Sequence, residues 1–104
     1  MPSSKSYLDY ILDQLSDLEG VSSRAMMGEY ILYYRGKIAG GIYDDRLLVK
    51  PTPSAEKMMP DAVREVPYSG AKEMLLVDNP DDRIFLSSLL QAMYDELPAA
   101  KQRR

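Results

Sequence analysis

Apolar residues first recur with a helical period. Leu8, Ile11, Leu12, Leu15 and Leu18 fall at three- and four-residue spacings, while Asp9, Asp13, Gln14 and Asp17 take the opposite side. That pattern predicts an amphipathic helix over about Lys5 to Leu18, capped at its start by Ser4 or Ser6 and stopped by Gly20. After Ser23 the period shortens to two. Glu29–Tyr34 (EYILYY), Ile38–Tyr43 and Arg46–Lys50 (RLLVK) are separated by Arg35-Gly36-Lys37 and by Asp44-Asp45. They read as three strands joined by tight hairpins, with Gly36 supplying a positive φ and the Asp pair turning through side-chain bonds to nearby amides. Arg24–Met27 is expected to add a strand before Gly28, and Gly40-Gly41 to mark a bulge or a close approach to the sheet.

Beyond Lys50, prolines punctuate the chain. Pro51 and Pro53 end the strand and open a short helix near Ser54–Met59, which Pro60 closes. An irregular stretch through Val66-Pro67-Tyr68 leads to a strand at Glu73–Val77. Asn79-Pro80-Asp81-Asp82 then reads as a helix start, with Asn79 as N-cap and Pro80 in the first helical position. Ile84, Phe85, Leu89, Ala92 and Met93 continue that helix toward Leu97, and Pro98 ends it. The expected fold class is α+β: a two-layer sandwich in which an antiparallel sheet of about five strands carries N- and C-terminal helices on one face. The other face is expected to present tyrosines from the Tyr30–Tyr34 stretch to water or to a second copy of the chain.

Composition narrows the chemistry. The 104 residues include no Cys and no His, which excludes thiol nucleophiles, disulfides, Cys/His zinc sites and Ser-His-Asp triads. Proton transfer near neutral pH would fall to carboxylates, Lys or Tyr with strongly shifted pKa values. Length and apolar content suit a single domain over residues 1–104, with 98–104 a flexible basic tail. Lys101, Arg103 and Arg104 in that tail are three of 13 basic residues, leaving ten against 16 acidic groups in the rest. Such a body repels a phosphate backbone on average. Neither a membrane span nor a secretory signal pattern is visible, so a cytoplasmic location is expected.

Three candidate sites stand out. Met27, Tyr33, Tyr34 and Tyr43 form a candidate interaction surface; the Met26-Met27 and Met58-Met59 pairs could each line an adaptable groove, although core filling is the commoner fate of such thioethers. Arg24, Arg35, Lys37, Arg46 and Lys50, interleaved with tyrosines, form a candidate surface for single-stranded nucleic acid. Asp78, Asp81 and Asp82, or Asp44 and Asp45, are the carboxylates that a divalent-metal enzyme would use, although capping and turn formation explain both sets. No catalytic residue, cofactor or metal site is assigned, and Gly40-Gly41 lacks the following Lys-Ser/Thr and helix of a phosphate loop.

An ordered set of motifs carries a resemblance. Arg24-Ala25-Met26-Met27-Gly28, Tyr30-Ile31-Leu32-Tyr33, Gly36-Lys37 and Ile42-Tyr43-Asp44-Asp45-Arg46-Leu47-Leu48-Val49-Lys50 resemble the N-terminal domain of the TfoX/Sxy family. Val66-Pro67-Tyr68, Met74-Leu75 and the last helix extend the resemblance over about residues 7–97. In that family a basic residue, Met, Phe and Gly open the region, so Met27 stands where Phe is common. The resemblance implies a secretion-chaperone-like α+β fold and a non-catalytic regulator acting through protein contacts. The family's regulators act on bacterial competence and transcription with the cyclic-AMP receptor protein and carry a second, C-terminal domain; a stand-alone N-terminal domain is expected here. The expected partners are therefore proteins, the transcription machinery or that receptor among them, and a homodimer is compatible with the sheet.

Overall fold

The structure is a computed structural model and describes residues 3–98. The basic tail residues Lys101, Arg103 and Arg104 lie outside the described residues. Three helices and six strands follow in the order α1 (Lys5–Gln14), β1 (Val21–Met26), β2 (Glu29–Tyr34), β3 (Lys37–Ile42), β4 (Leu47–Val49), α2 (Pro53–Met58), β5 (Arg64–Glu65), β6 (Met74–Leu76) and α3 (Arg83–Met93), with a 3₁₀ turn at Tyr94–Glu96. The strands form one antiparallel sheet in the order β1-β2-β3-β4-β6-β5, so the α+β expectation holds with one strand more than predicted. Among the described residues no helix is long and apolar enough to cross a membrane.

Three successive hairpins build the first four strands, each turning through two residues with positive φ: Met27-Gly28, Arg35-Gly36 and Asp44-Asp45. Such turns match the right-handed twist of the flanking strands. The left-handed backbone itself makes the Asp44-Asp45 turn. The side chain of Asp45 instead accepts hydrogen bonds from the amide (2.8 Å) and hydroxyl (3.2 Å) of Ser4, so it anchors the start of α1 rather than its own turn. Glu29 completes this knot, its Oε1 accepting from the amide and hydroxyl of Ser3 and from the Asp44 amide.

All three helices lie on one face of the sheet. Leu8, Ile11 and Leu15 from α1 and its C-cap meet Leu86, Leu89 and Met93 of α3 over Leu32, Ile42 and Val49 of the sheet. Ser4 caps α1, as the sequence suggests, by accepting from the Tyr7 amide. The helix ends at Gln14, before Gly20: residues 15–18 tighten into i→i+3 turns, and Gly20 (φ +88°) bends the chain into β1 while its carbonyl accepts from the Arg35 amide. Arg83 fixes this corner by donating to Ser16 Oγ (2.8 Å) and pairing with Asp13 and Asp17.

The start of α3 also moves. Asp82, not Asn79, is its N-cap and accepts from the Phe85 amide at 3.0 Å; Asn79 instead closes a turn by accepting from the Asp82 amide. Starting at Arg83 brings Leu86, Leu89, Leu90 and Met93 inward and leaves Ile84, expected on the core face, 81% exposed.

Thr52 caps α2 by accepting from the Ala55 amide, and Glu96 adds a second anchor by accepting from the amide (2.9 Å) and hydroxyl (2.7 Å) of Ser54. The bonds from Ser54, side chain first, hold the Glu96 carboxyl below its usual range. Because the folded-state pKa is depressed, this anchor contributes fully above the unfolded value near 4.5 and is lost as pH falls through the folded value. Glu96→Gln is therefore expected to lower the melting temperature at pH 6.5 and to differ little from the unsubstituted protein at pH 3, as thermal melts of both at the two pH values will show.

Candidate functional site

The helix-free face of the sheet has its own construction. Alternation along the strands directs Arg24 and Met26 of β1, Ile31 and Tyr33 of β2, Ile38 and Gly41 of β3, Leu48 of β4 and Met74 of β6 to this side. Leu48 is fully buried there although it belongs to no helix-facing cluster. Tyr43, following β3, folds its ring over Gly41: a Cβ on Gly41 would stand 2.7 Å from the tyrosine ring and hydroxyl. Glycine at 41 is thus what lets the ring lie flat on the sheet.

The loop between β5 and β6 rises over the same face. Gly70 (φ +87°) and a hydrogen bond from the Ala71 amide to the Tyr68 carbonyl shape it, and Tyr68 approaches Tyr43 with ring centroids 6.3 Å apart. Between this loop and the β1–β2 hairpin run two adjoining hollows of about 310 and 410 Å³. Met26, Ile31, Tyr43, Pro67 and Tyr68 line both. Met27 stands at the hairpin tip, 96% exposed, and lines the larger; Lys50, Lys72 and Glu73 border the smaller. The wall is thus largely apolar, flexible and aromatic, with Lys50, Lys72 and Glu73 at one end and Glu29 at the other.

Burial pushes the Tyr43 phenol above the ordinary tyrosine range, and the neighbouring Tyr68 and Glu29 push it further. At neutral pH it is a neutral hydrogen-bonding group and no base. Among the described residues no cluster of three or more His, Cys, Asp or Glu can hold a metal ion. Asp82 is occupied in capping α3, and Asp45 in anchoring Ser4.

Of the four residues expected to form an interaction surface, Met27 and Tyr43 line one groove. Tyr33 shares their face, half-buried, outside the hollows. Tyr34 does not belong with them: it is 5% exposed on the helix side, its ring 5.6 Å from that of Tyr94 in an edge-on pair, and Tyr30 also packs against the helix-side core.

The five cations considered for nucleic acid are dispersed. Arg35 and Lys37 flank the Tyr94 ring at 4.7 and 4.2 Å, and Lys37 also donates to the Tyr94 carbonyl. Arg46 pairs with Glu65 and donates to the Tyr43 carbonyl. Arg24 and Lys50 remain on the grooved face.

Sequence reasoning missed Ile31, Pro67, Tyr68 and Met74 as groove residues. The one local signal was Pro67-Tyr68, an apolar pair inside an irregular stretch, and Tyr68 is indeed 57% exposed. Met58 and Met59 pack against the core, whereas Met26 joins the groove.

The chain is 31% identical over 105 residues to the "Uncharacterized 12.7 kDa protein in trpE 5'region" of Spirochaeta aurantia, an alignment covering all of this chain and 91% of that protein. No solved structure matches. The TfoX N-terminal domain profile matches residues 13–87, from the last turn of α1 into α3, and the chain therefore belongs to the TfoX N-terminal domain family.

Proposed function

We propose that the protein is a non-catalytic interaction domain of the TfoX type, cytoplasmic, and regulatory in role. The observation that carries this reading is the groove on the helix-free face, where Met26, Met27, Ile31, Tyr43 and Tyr68 converge around hollows of about 310 and 410 Å³. Flexible thioethers beside rigid aromatic rings suit protein recognition, since they adapt to a partner and bury large apolar area. Kinship with competence regulators suggests the transcription machinery or the cyclic-AMP receptor protein as the class of partner. Direct binding of single-stranded nucleic acid has less support, because Arg35, Lys37 and Arg46 are engaged elsewhere by Tyr94 and Glu65.

A photo-crosslinking residue placed at Met27, in bacterial cells, tests this. A discrete protein adduct is expected on irradiation, and none from the same residue at Lys57, an exposed position on α2. A receptor or polymerase subunit in the adduct would support the transcriptional role. Equal adducts at both positions, or none at 27, would remove the groove as a contact site.

A further inference from the structure

The two edges of the sheet are unequal. The β5 edge is two residues long, whereas β1 offers six residues with no proline, lysine or bulge to blunt them. The two-residue turn at Met27-Gly28 makes Met26 and Glu29 a pair that exchanges hydrogen bonds, and alternation extends this to Arg24–Ile31 and Ser22–Tyr33. The bond from the Arg35 amide to the Gly20 carbonyl continues the same phase. The amides and carbonyls of Ser23 and Ala25 therefore point outward, and among the described residues β1 pairs with β2 alone.

Side chains beside this edge lead into the groove. Met26 lines both hollows, and Arg24, two residues away on the same face, is exposed and belongs to no ion pair among the described residues. Lys50 and Lys72 add positive charge at the far end of the groove. Glu73 borders the same end and Glu29 the larger hollow, so Arg24, Lys50 and Lys72 leave a small local excess of positive charge in a chain with 16 acidic against 13 basic residues.

We propose that β1 accepts an extended peptide from a partner protein as a seventh, antiparallel strand. The peptide carries an apolar residue followed two positions later by Asp or Glu. Residues directly opposite in an antiparallel pair share a face. The apolar side chain then sits opposite Met26 and enters the groove, the carboxylate sits opposite Arg24, and the residue between them exchanges main-chain bonds with Ala25. A second copy of this chain is the poorer occupant, because its own β1, Val-Ser-Ser-Arg-Ala-Met, brings no carboxylate to Arg24. This rests on the interaction-domain reading and specifies its mode.

The probe is a blocked heptapeptide, threonine–valine–threonine–leucine–threonine–glutamate–threonine, titrated into the ¹⁵N-labelled full chain. The expected result is saturable shifts and slowed hydrogen exchange at the Ser23 and Ala25 amides. A lysine in place of the glutamate, or N-methylation of the threonine between leucine and glutamate, should each weaken binding at least tenfold. Arg24→Glu should reverse the preference, taking the lysine peptide over the glutamate one. Arg24 is exposed, so this variant keeps the fold, and its unperturbed spectrum verifies that. Three results overturn the proposal: no shift at these amides with millimolar peptide, equal binding of both peptides, or protection of β1 amides that grows with protein concentration alone, which would mark a self-paired dimer. If crosslinks form from position 27 while β1 stays silent, the interaction reading stands and strand addition falls.

Discussion

Replacing Gly40 with alanine is expected to remove a large part of the stability of this domain. Gly40 lies in β3 between Leu32 of β2 and Val49 of β4. A Cβ there would run into the main-chain carbonyl oxygen of Leu48 and stand 2.8 Å from the Val49 Cα. Both obstacles are backbone, so no side chain can rotate to make room, and β3 and β4 must separate. The pair they form is only three residues long and sits at the centre of the sheet, where β4 also holds β6. Overpacking in a core costs about 1–3 kcal/mol and sometimes more, and a clash with fixed backbone belongs at or above the top of that range. Small domains have a total of roughly 5–15 kcal/mol, so a loss of about 3 kcal/mol or more is a large part of it.

Gly36→Ala provides the comparison. No atom lies within 4 Å of a Cβ at Gly36, and the penalty there is only that of the left-handed backbone, about 1 kcal/mol. Urea denaturation should place the Gly40→Ala midpoint well below that of Gly36→Ala. Equal midpoints would show that the β3–β4 contact yields more easily than its geometry allows.

The hairpin region was the most legible part of the sequence because its signals are local. Gly28, Gly36 and the Asp44-Asp45 pair sit where two-residue turns need positive φ, and the strands between them alternate. β2 accordingly spans Glu29–Tyr34 as read. β1 was read short: Val21-Ser22-Ser23 has little strand character of its own and is drawn into the sheet by pairing with Leu32, Tyr33 and Tyr34. The two-residue β5 carries no periodic signal at all. At α3, Asn79, Asp81 and Asp82 are all competent caps, and the choice is made by which start turns Leu86, Leu89 and Met93 onto the sheet. That information is tertiary.

The groove was half legible for the same reason. Met26-Met27 and Tyr43 are flagged by their own chemistry, and both reach it. Tyr68 arrives from a loop far along the chain, and nothing local to residues 66–70 says which face that loop covers. The dispersal of the cations follows from side-chain alternation together with position: Arg35 and Lys37, at a hairpin end, reach Tyr94 on the helix side, while Arg24 projects from the opposite face.

Adjacent tyrosines on β2 supply the second large effect and the sharpest test of which face is which. Tyr34 is 5% exposed among the helix-facing core residues and pairs edge-on with Tyr94, whose ring also carries Arg35 and Lys37. Truncating it to alanine leaves an aromatic-sized cavity and removes the ring pair, so Tyr34→Ala should cost about 3–5 kcal/mol, by analogy with buried Phe. For a domain of this size that is a fall in melting temperature of about 12 °C or more. Tyr33 is half-buried on the grooved side, where its truncation leaves a surface notch, and Tyr33→Ala should cost about 1 kcal/mol. A strand that slipped by one residue would exchange these two values, because every side chain would change face. The β2–β3 register shifts between Leu32 and Tyr33, with Ala39 left unpaired opposite them, so this is where a slip would be absorbed. Thermal melts of the two variants side by side read the face directly: a larger loss for Tyr33→Ala than for Tyr34→Ala would place the core on the opposite side of β2 and take the groove with it.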